Sequence, residues 1–228
     1  MNLNKHREFF DPDKFTDDIH IIGCGAVGST IAEQLARLGI KKLHLYDFDN
    51  VTEHNITNQM FYLAHVGLTK LKALDEILHA INPDIELIHH PEGWTKGKAL
   101  SGYVYLAVDN IDTRKEIVKD NLFNPNIKAM FDTRMRLTDA QHFGALWTAE
   151  GKKFLQETMN FTREEAANST PVSACGTTLS VTPTVRIICS LAVSNLVNVI
   201  LGKPIAKTVL IDAFEMTVTA FDENGLRE

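Results

Sequence analysis

This sequence of 228 residues has little cysteine, no surplus of positive charge and no long apolar run. Its three cysteines, Cys24, Cys175 and Cys189, stand far apart, and none forms a CxxC pair. That pattern argues against a disulfide framework or a cysteine-based structural zinc site, and it fits a reduced, cytoplasmic protein. The formal charge of −6 argues against a general surface for nucleic acid or anionic membrane. No apolar run approaches the ~20 residues of a spanning helix, and the N-terminus, Met1 to Phe10, lacks the apolar core of a signal peptide. No internal repeat or low-complexity segment stands out. The nine histidines look scattered, and the adjacent His89 and His90 would point to opposite faces of a strand, so no metal cluster is expected.

What is present begins with His20-Ile-Ile-Gly23-Cys-Gly25-Ala-Val-Gly28. This reads as a short strand, a glycine turn and the start of a helix in which Val27, Ile31, Leu35 and Leu38 recur at helical spacing. A second strand follows over 42–46 and ends in two carboxylates, Asp47 and Asp49. Such a unit presents a phosphate group to a helix N-terminus and a ribose to Asp47. The second glycine lets backbone approach phosphate, and the third lets helix pack on strand. Taken alone, the glycine turn and Asp47 fit NAD as well as ATP.

Strands and helices alternate from there. Helices are predicted over 26–38 (stopped by Gly39), 68–81 (ended by Asn82-Pro83), about 113–123 and 184–201. Buried strands are predicted over 19–22, 85–89 and 103–108, with further strands over 129–132 and 143–147. A polar stretch, 149–182, reads as a long crossover loop holding one short helix, and 207–214 with 217–221 reads as a closing antiparallel pair. The fold class is therefore α/β: a doubly wound, mainly parallel sheet with helices on both faces and an antiparallel C-terminal extension. Residues 1–18 read as a polar arm and 19–228 as a single domain. In such a sheet ligands lie beyond the carboxyl ends of the strands. Asp47 and Asp109 would then share one crevice, where a carboxylate suits Mg²⁺ beside phosphate. Lys70 is a candidate point charge for phosphate, and Asn110 and Arg114 follow Asp109 on the next helix.

The ordered set Gly23-x-Gly25-x-x-Gly28, Asp47-x-Asp49, Asn55 with Gln59, Val66-Gly-Leu-Thr-Lys70, Asn82-Pro83 and Asp109-Asn110-x-x-x-Arg114 resembles the ThiF/MoeB family. These are adenylyltransferases related to ubiquitin-activating enzymes. The resemblance covers about residues 19–221 and extends to Cys175, which aligns with the family's cysteine loop, and to the apolar helix after it. It implies a Rossmann-like domain that uses ATP and Mg²⁺ to activate the C-terminal glycine tail of a small ubiquitin-like or sulfur-carrier protein. Residue by residue, it implies that Asp47 holds ribose, that Asn55 and Lys70 contact phosphates, and that Asp109 governs the metal and the reacting phosphate. Gly23, Gly25 and Gly28 line the nucleotide, with Asp49, Gln59, Asn110 and Arg114 around it. Cys175 is a candidate covalent nucleophile, although no adjacent base is visible. Arg7 lies where relatives carry an arginine that reaches a partner subunit, and relatives are commonly homodimers. The helix over 184–201 is either a core helix or part of such an interface.

Two departures from the family pattern matter. The arginine expected before Gln59 is replaced by Asn58, and an amide cannot replace a guanidinium that neutralises phosphate charge. Arg134 and Arg136 are candidate substitutes. The paired CxxC motifs of many relatives are absent, so no structural zinc is expected. Two rivals stay open: a non-catalytic nucleotide-binding relative, favoured by Asn58, and an NAD-dependent oxidoreductase, permitted by Asp47.

Overall fold

A computed structural model describes residues 1–168, 172, 179–222 and 224–226. Its elements run β1 (Ile19–Ile22), α1 (Ala26–Arg37), β2 (Lys42–Tyr46), α2 (Lys70–Ile81), β3 (Glu86–His90), β4 (Gly102–Leu106), α3 (Ile111–Asp120), β5 (Ile127–Met135), β6 (Asp139–Leu146), α4 (Ala149–Glu157), α5 (Arg163–Asn168), α6 (Thr182–Ile200), β7 (Thr208–Asp212), β8 (Thr217–Asp222) and β9 (Gly225–Leu226). The strands form one sheet in the order β3-β2-β1-β4-β5-β6-β7-β8-β9. Pairing is parallel from β3 to β5 and antiparallel from β5 to β9.

Strand alternation divides the core in two. Ile19, Ile21, Leu43, Leu45, Tyr103 and Tyr105 face α1, α2 and α6. Ile22, Tyr46, Val104 and Leu106 face the other way, toward α3 and α4. From β1 the sheet grows to β2 on one side and to β4 on the other, so the chain reverses its winding between β1 and β4. A crevice opens at the carboxyl ends of strands at such a reversal.

Several expectations need correction. β3 is an edge strand, paired only with β2, and its side chains are half-buried or exposed rather than core. The polar stretch after 149 carries two helices. Thr148 caps α4 by accepting from the Gly151 N–H, and Leu155 anchors that helix in the second core. Before α5, the Thr162 N–H donates to Glu165 and the Glu165 N–H donates to Thr162 Oγ1, the reciprocal pair of a capping box. The apolar helix α6 is long and apolar enough to cross a membrane by length and composition. Val185, Ile188, Cys189, Ala192 and Leu196 bury it in the first core. The arm packs on the domain: Phe10 is buried in the first core, and His6 Nε2 lies 3.2 Å from the Leu38 carbonyl.

Candidate functional site

The three glycines of the first turn have different surroundings. Gly23 has φ +94°, and a Cβ there would meet the Ala107 backbone at 2.8 Å. A Cβ on Gly28 would lie 1.8 Å from the Gly23 carbonyl oxygen. At Gly25 a Cβ would meet nothing within 4 Å. Two glycines therefore let helix, strand and turn pack, while the middle one faces open space. Gly25 is also the N-cap of α1 and gives the helix no side-chain cap. The first amides of α1 thus face that space with the positive end of the helix dipole.

Asp47 closes on this turn. Its Oδ2 accepts from the Cys24 N–H at 2.7 Å and its Oδ1 from the Asp49 N–H at 2.9 Å. Its side chain is only 8% exposed, which excludes a merely solvated strand end. Lys70 comes from the other side. The excursion between β2 and α2 is tied back on itself by Val51 N–H to Leu68 O and Lys70 N–H to Asp49 O. The buried Lys70 ammonium then stands 2.7 Å from Asp49 and 3.8 Å from Asp47. A cleft of about 370 Å³ opens beside Asp47, lined by Phe48, Thr69, Leu71, His89 and Pro91 among others.

Asn55 and Gln59 lie in the same excursion. Asn55 Oδ1 accepts from the Thr52 N–H at 2.8 Å, which fixes the amide and leaves Nδ2 as a donor. Gln59 Oε1 is buried with no hydrogen-bond partner among the described residues, an unmet acceptor of the kind that ligands satisfy. Asp109 is exposed just past β4 and forms no ion pair among the described residues. Asn110 caps α3, accepting from the Asp112 N–H at 2.8 Å.

Arg114 turns inward. It is buried, donates to the Val108 carbonyl at 2.7 Å and the Leu106 carbonyl at 3.2 Å, and pairs with Asp132, which is 0% exposed. Arg134 grips the other oxygen of Asp132, donates to the Thr158 carbonyl and stacks over Phe143 and Phe161. Burial pulls the two guanidinium pKa values down to about 9 and about 10, so both stay charged at neutral pH. Arg136 lies 3.9 Å from Asp139, and Arg7 pairs with Asp13. Asn58 donates to Ser180 Oγ. Cys175 lies outside the described residues.

One cation was missed in the sequence. Arg186 of α6 places Nη1 beside Met60 Sδ and 3.4 Å from Thr30 Oγ1, and it forms no ion pair among the described residues. Nothing in its own helical pattern marks it. Only the packing of α6 against α1 brings it to the Asn58–Met60 segment.

The ThiF family model matches residues 15–227. Ubiquitin-like modifier-activating enzyme 5 of Branchiostoma floridae is 36% identical over 117 residues, covering 43% of this chain and 29% of that protein. The protein of the same name in Oryza sativa subsp. japonica is 46% identical over 69 residues, covering 30% of this chain and 16% of its own length. The chain thus spans less than a third of these relatives. Among solved structures, E. coli MccB with ATP superposes with a TM-score of 0.68 at 17% identity, covering 92% of this chain and 64% of that one. PaaA superposes with the same score, identity and coverage, and this degree of likeness concerns the fold. The matched span holds the whole crevice, from the glycine turn through Asp47 and Lys70 to Asp109, and the chain belongs to the ThiF family.

Proposed function

We propose that this chain is an ATP-dependent adenylyltransferase that activates the C-terminal glycine carboxylate of a small ubiquitin-like or sulfur-carrier protein. The observation that carries this reading is the open face of Gly25 at the N-terminus of α1, with Asp47 fastened to the same turn. Family membership and the names of the curated relatives support it.

In this reading the α1 amides and Asn55 Nδ2 donate to phosphate oxygens, and Asp47 accepts from the ribose hydroxyls through its remaining lone pairs. The cleft beside Asp47 takes the base. Lys70, now held by two carboxylates, exchanges Asp49 for phosphate. The exposed Asp109 carboxylate is a hard oxygen donor and fits Mg²⁺. When bound there, the metal neutralises phosphate charge. A carboxylate oxygen of the tail attacks the α-phosphorus. The bond from that phosphorus to the bridging oxygen breaks, and pyrophosphate leaves with the electron pair. The protein's part is positioning and charge neutralisation. With Asn58 held by Ser180, Arg186 is the cation that takes over from the family's arginine.

Pyrophosphate exchange into ATP, measured with Mg²⁺ and candidate carriers ending in Gly-Gly, tests the reading. Exchange should depend on one carrier and vanish in Asp109→Ala, with circular dichroism unchanged. Tight ATP binding with no exchange for any carrier would instead support a non-catalytic role. Asn58 favours that outcome, and Asn58→Arg would then be the variant to restore activity.

A further inference from the structure

α3 and α4 lie side by side over the second core. An open groove of about 550 Å³ runs between them, and it shares no lining residue with the cleft beside Asp47. Val118, Leu122 and Met159 give it an apolar floor. Lys115 and Lys119, one turn apart on α3, and Lys153 on α4 stand around that floor. Glu157 is the one carboxylate among the described residues that line it. Three ammonium groups against one carboxylate make a local positive excess in a chain whose formal charge is −6. Phe123, directly after Leu122, is 96% exposed, an apolar ring in water at the end of α3.

We propose that this groove docks a helix of a partner protein, one whose apolar stripe is flanked by aspartate and glutamate. An apolar trough between two helices suits the apolar face of a third, with anchors one turn apart. The Met159 thioether adapts to the shape of such anchors. The lysine stems extend the apolar walls while their ammonium heads stay at the rim. There they meet the flanking carboxylates of the incoming helix.

The three cations are unequally committed. Lys115 donates to the Phe161 carbonyl and lies 5.9 Å from that ring's centroid, so its position is set in advance. Lys119 is exposed and forms no ion pair among the described residues. Lys153 meets Glu157 only at 3.9 Å, with both side chains mostly exposed, and such a contact contributes little. Lys119 and Lys153 are therefore free to take carboxylates from a partner.

The floor decides between kinds of anion. A nucleic acid would use the lysines and leave Val118, Leu122 and Met159 in water. A flat bilayer surface would not reach a concave floor. An acidic amphipathic helix satisfies floor and rim together. α3 also sets the distance to the crevice: its N-cap, Asn110, follows Asp109, and its 10 residues span only ~15 Å. A docked partner is thus held close to the nucleotide site without occupying it.

The test is fluorescence anisotropy of a labelled synthetic helix of about five turns, with leucine on one face and glutamate on both flanks, titrated with the full chain. A lysine-flanked helix and a scrambled glutamate peptide are the comparisons. Saturable micromolar binding of the glutamate helix is expected, about tenfold or more tighter than either comparison, and weaker as salt rises. Lys119→Glu with Lys153→Glu should weaken it by about tenfold or more, and Phe123→Ser severalfold. All three positions are exposed, so circular dichroism and the thermal midpoint should not change. Lys96→Glu, exposed and outside the groove, should change nothing. Absence of saturable binding overturns the proposal, as does binding that the double charge reversal leaves intact. Charge-reversal-sensitive binding of phosphatidylserine vesicles, of single-stranded DNA or of a second copy by sedimentation, without binding of the glutamate helix, would assign the groove to that occupant and overturn it too.

Discussion

Two glycines three residues apart show how one residue type serves packing at one position and access at another. Gly28 is held against the Gly23 carbonyl, whereas Gly25 looks into open space. Gly28→Ala should therefore destabilise the protein by about 3 kcal/mol, because the clash is with backbone and cannot be relieved by rotating a side chain. Gly25→Ala should cost far less stability than Gly28→Ala, since a Cβ there meets nothing within 4 Å. It should still weaken ATP binding by about tenfold, or about 1.4 kcal/mol. Differential scanning fluorimetry and isothermal titration on the two variants would separate the effects. Loss of stability without loss of binding in Gly25→Ala would remove the case for a ligand at the turn. The spacing of these glycines was legible in the sequence. The division of labour was not, because it depends on what β4 places against Gly23.

At the scale of elements, the sequence conveyed what local periodicity can convey. The helices with one apolar stripe and the strands of the parallel half were expected within a few residues of their observed bounds. Failures arose where neighbours decide. β3 looks apolar enough for the interior, but only β2 flanks it. The capping residues Thr148 and Thr162 with Glu165 were present to be read, yet the polar composition around them suggested a loop. The partners of Arg114 were not legible. Leu106 on β4 pairs in register with Asp132 on β5, and only this brings the guanidinium to its carboxylate. That pair tethers α3 to two strands, and the same carboxylate receives Arg134. Asp132→Ala would leave two guanidinium groups near each other without their anion. The expected loss is about 3–5 kcal/mol, measured by urea unfolding. A loss below about 1 kcal/mol would show that water reaches the cluster.

The whole molecule carries a built-in acid sensitivity. His142, on β6 between β5 and α6, accepts from Asn195 Nδ2 at 3.1 Å and donates to Thr133 Oγ1 at 2.9 Å. Burial pushes its pKa down from 6.5 to about 3, so the folded ring is neutral while the unfolded ring charges below pH 6.5. The unfolded state then binds more protons, and stability present above pH 6.5 is lost as pH falls toward 3. This ring alone accounts for about 2 kcal/mol by pH 5. His142→Gln should flatten the decline in unfolding free energy between pH 7 and pH 5. An unchanged slope would assign the acid sensitivity to other groups.

The strand order also fixes when the crevice can exist. β5 with β6 and β7 with β8 are pairs of near neighbours in sequence, whereas β1 joins β4 by matching Ile19 to Tyr103. Closing so long a loop is the slow event in assembling a parallel sheet. Gly23 and Ala107 meet only after that closure, so a growing or partly folded chain has no nucleotide pocket to offer. Under the proposed function, ATP would bind the finished molecule alone and shift the folding equilibrium toward it by mass action, which would make nucleotide retention a readout of chains that have completed the central pairing.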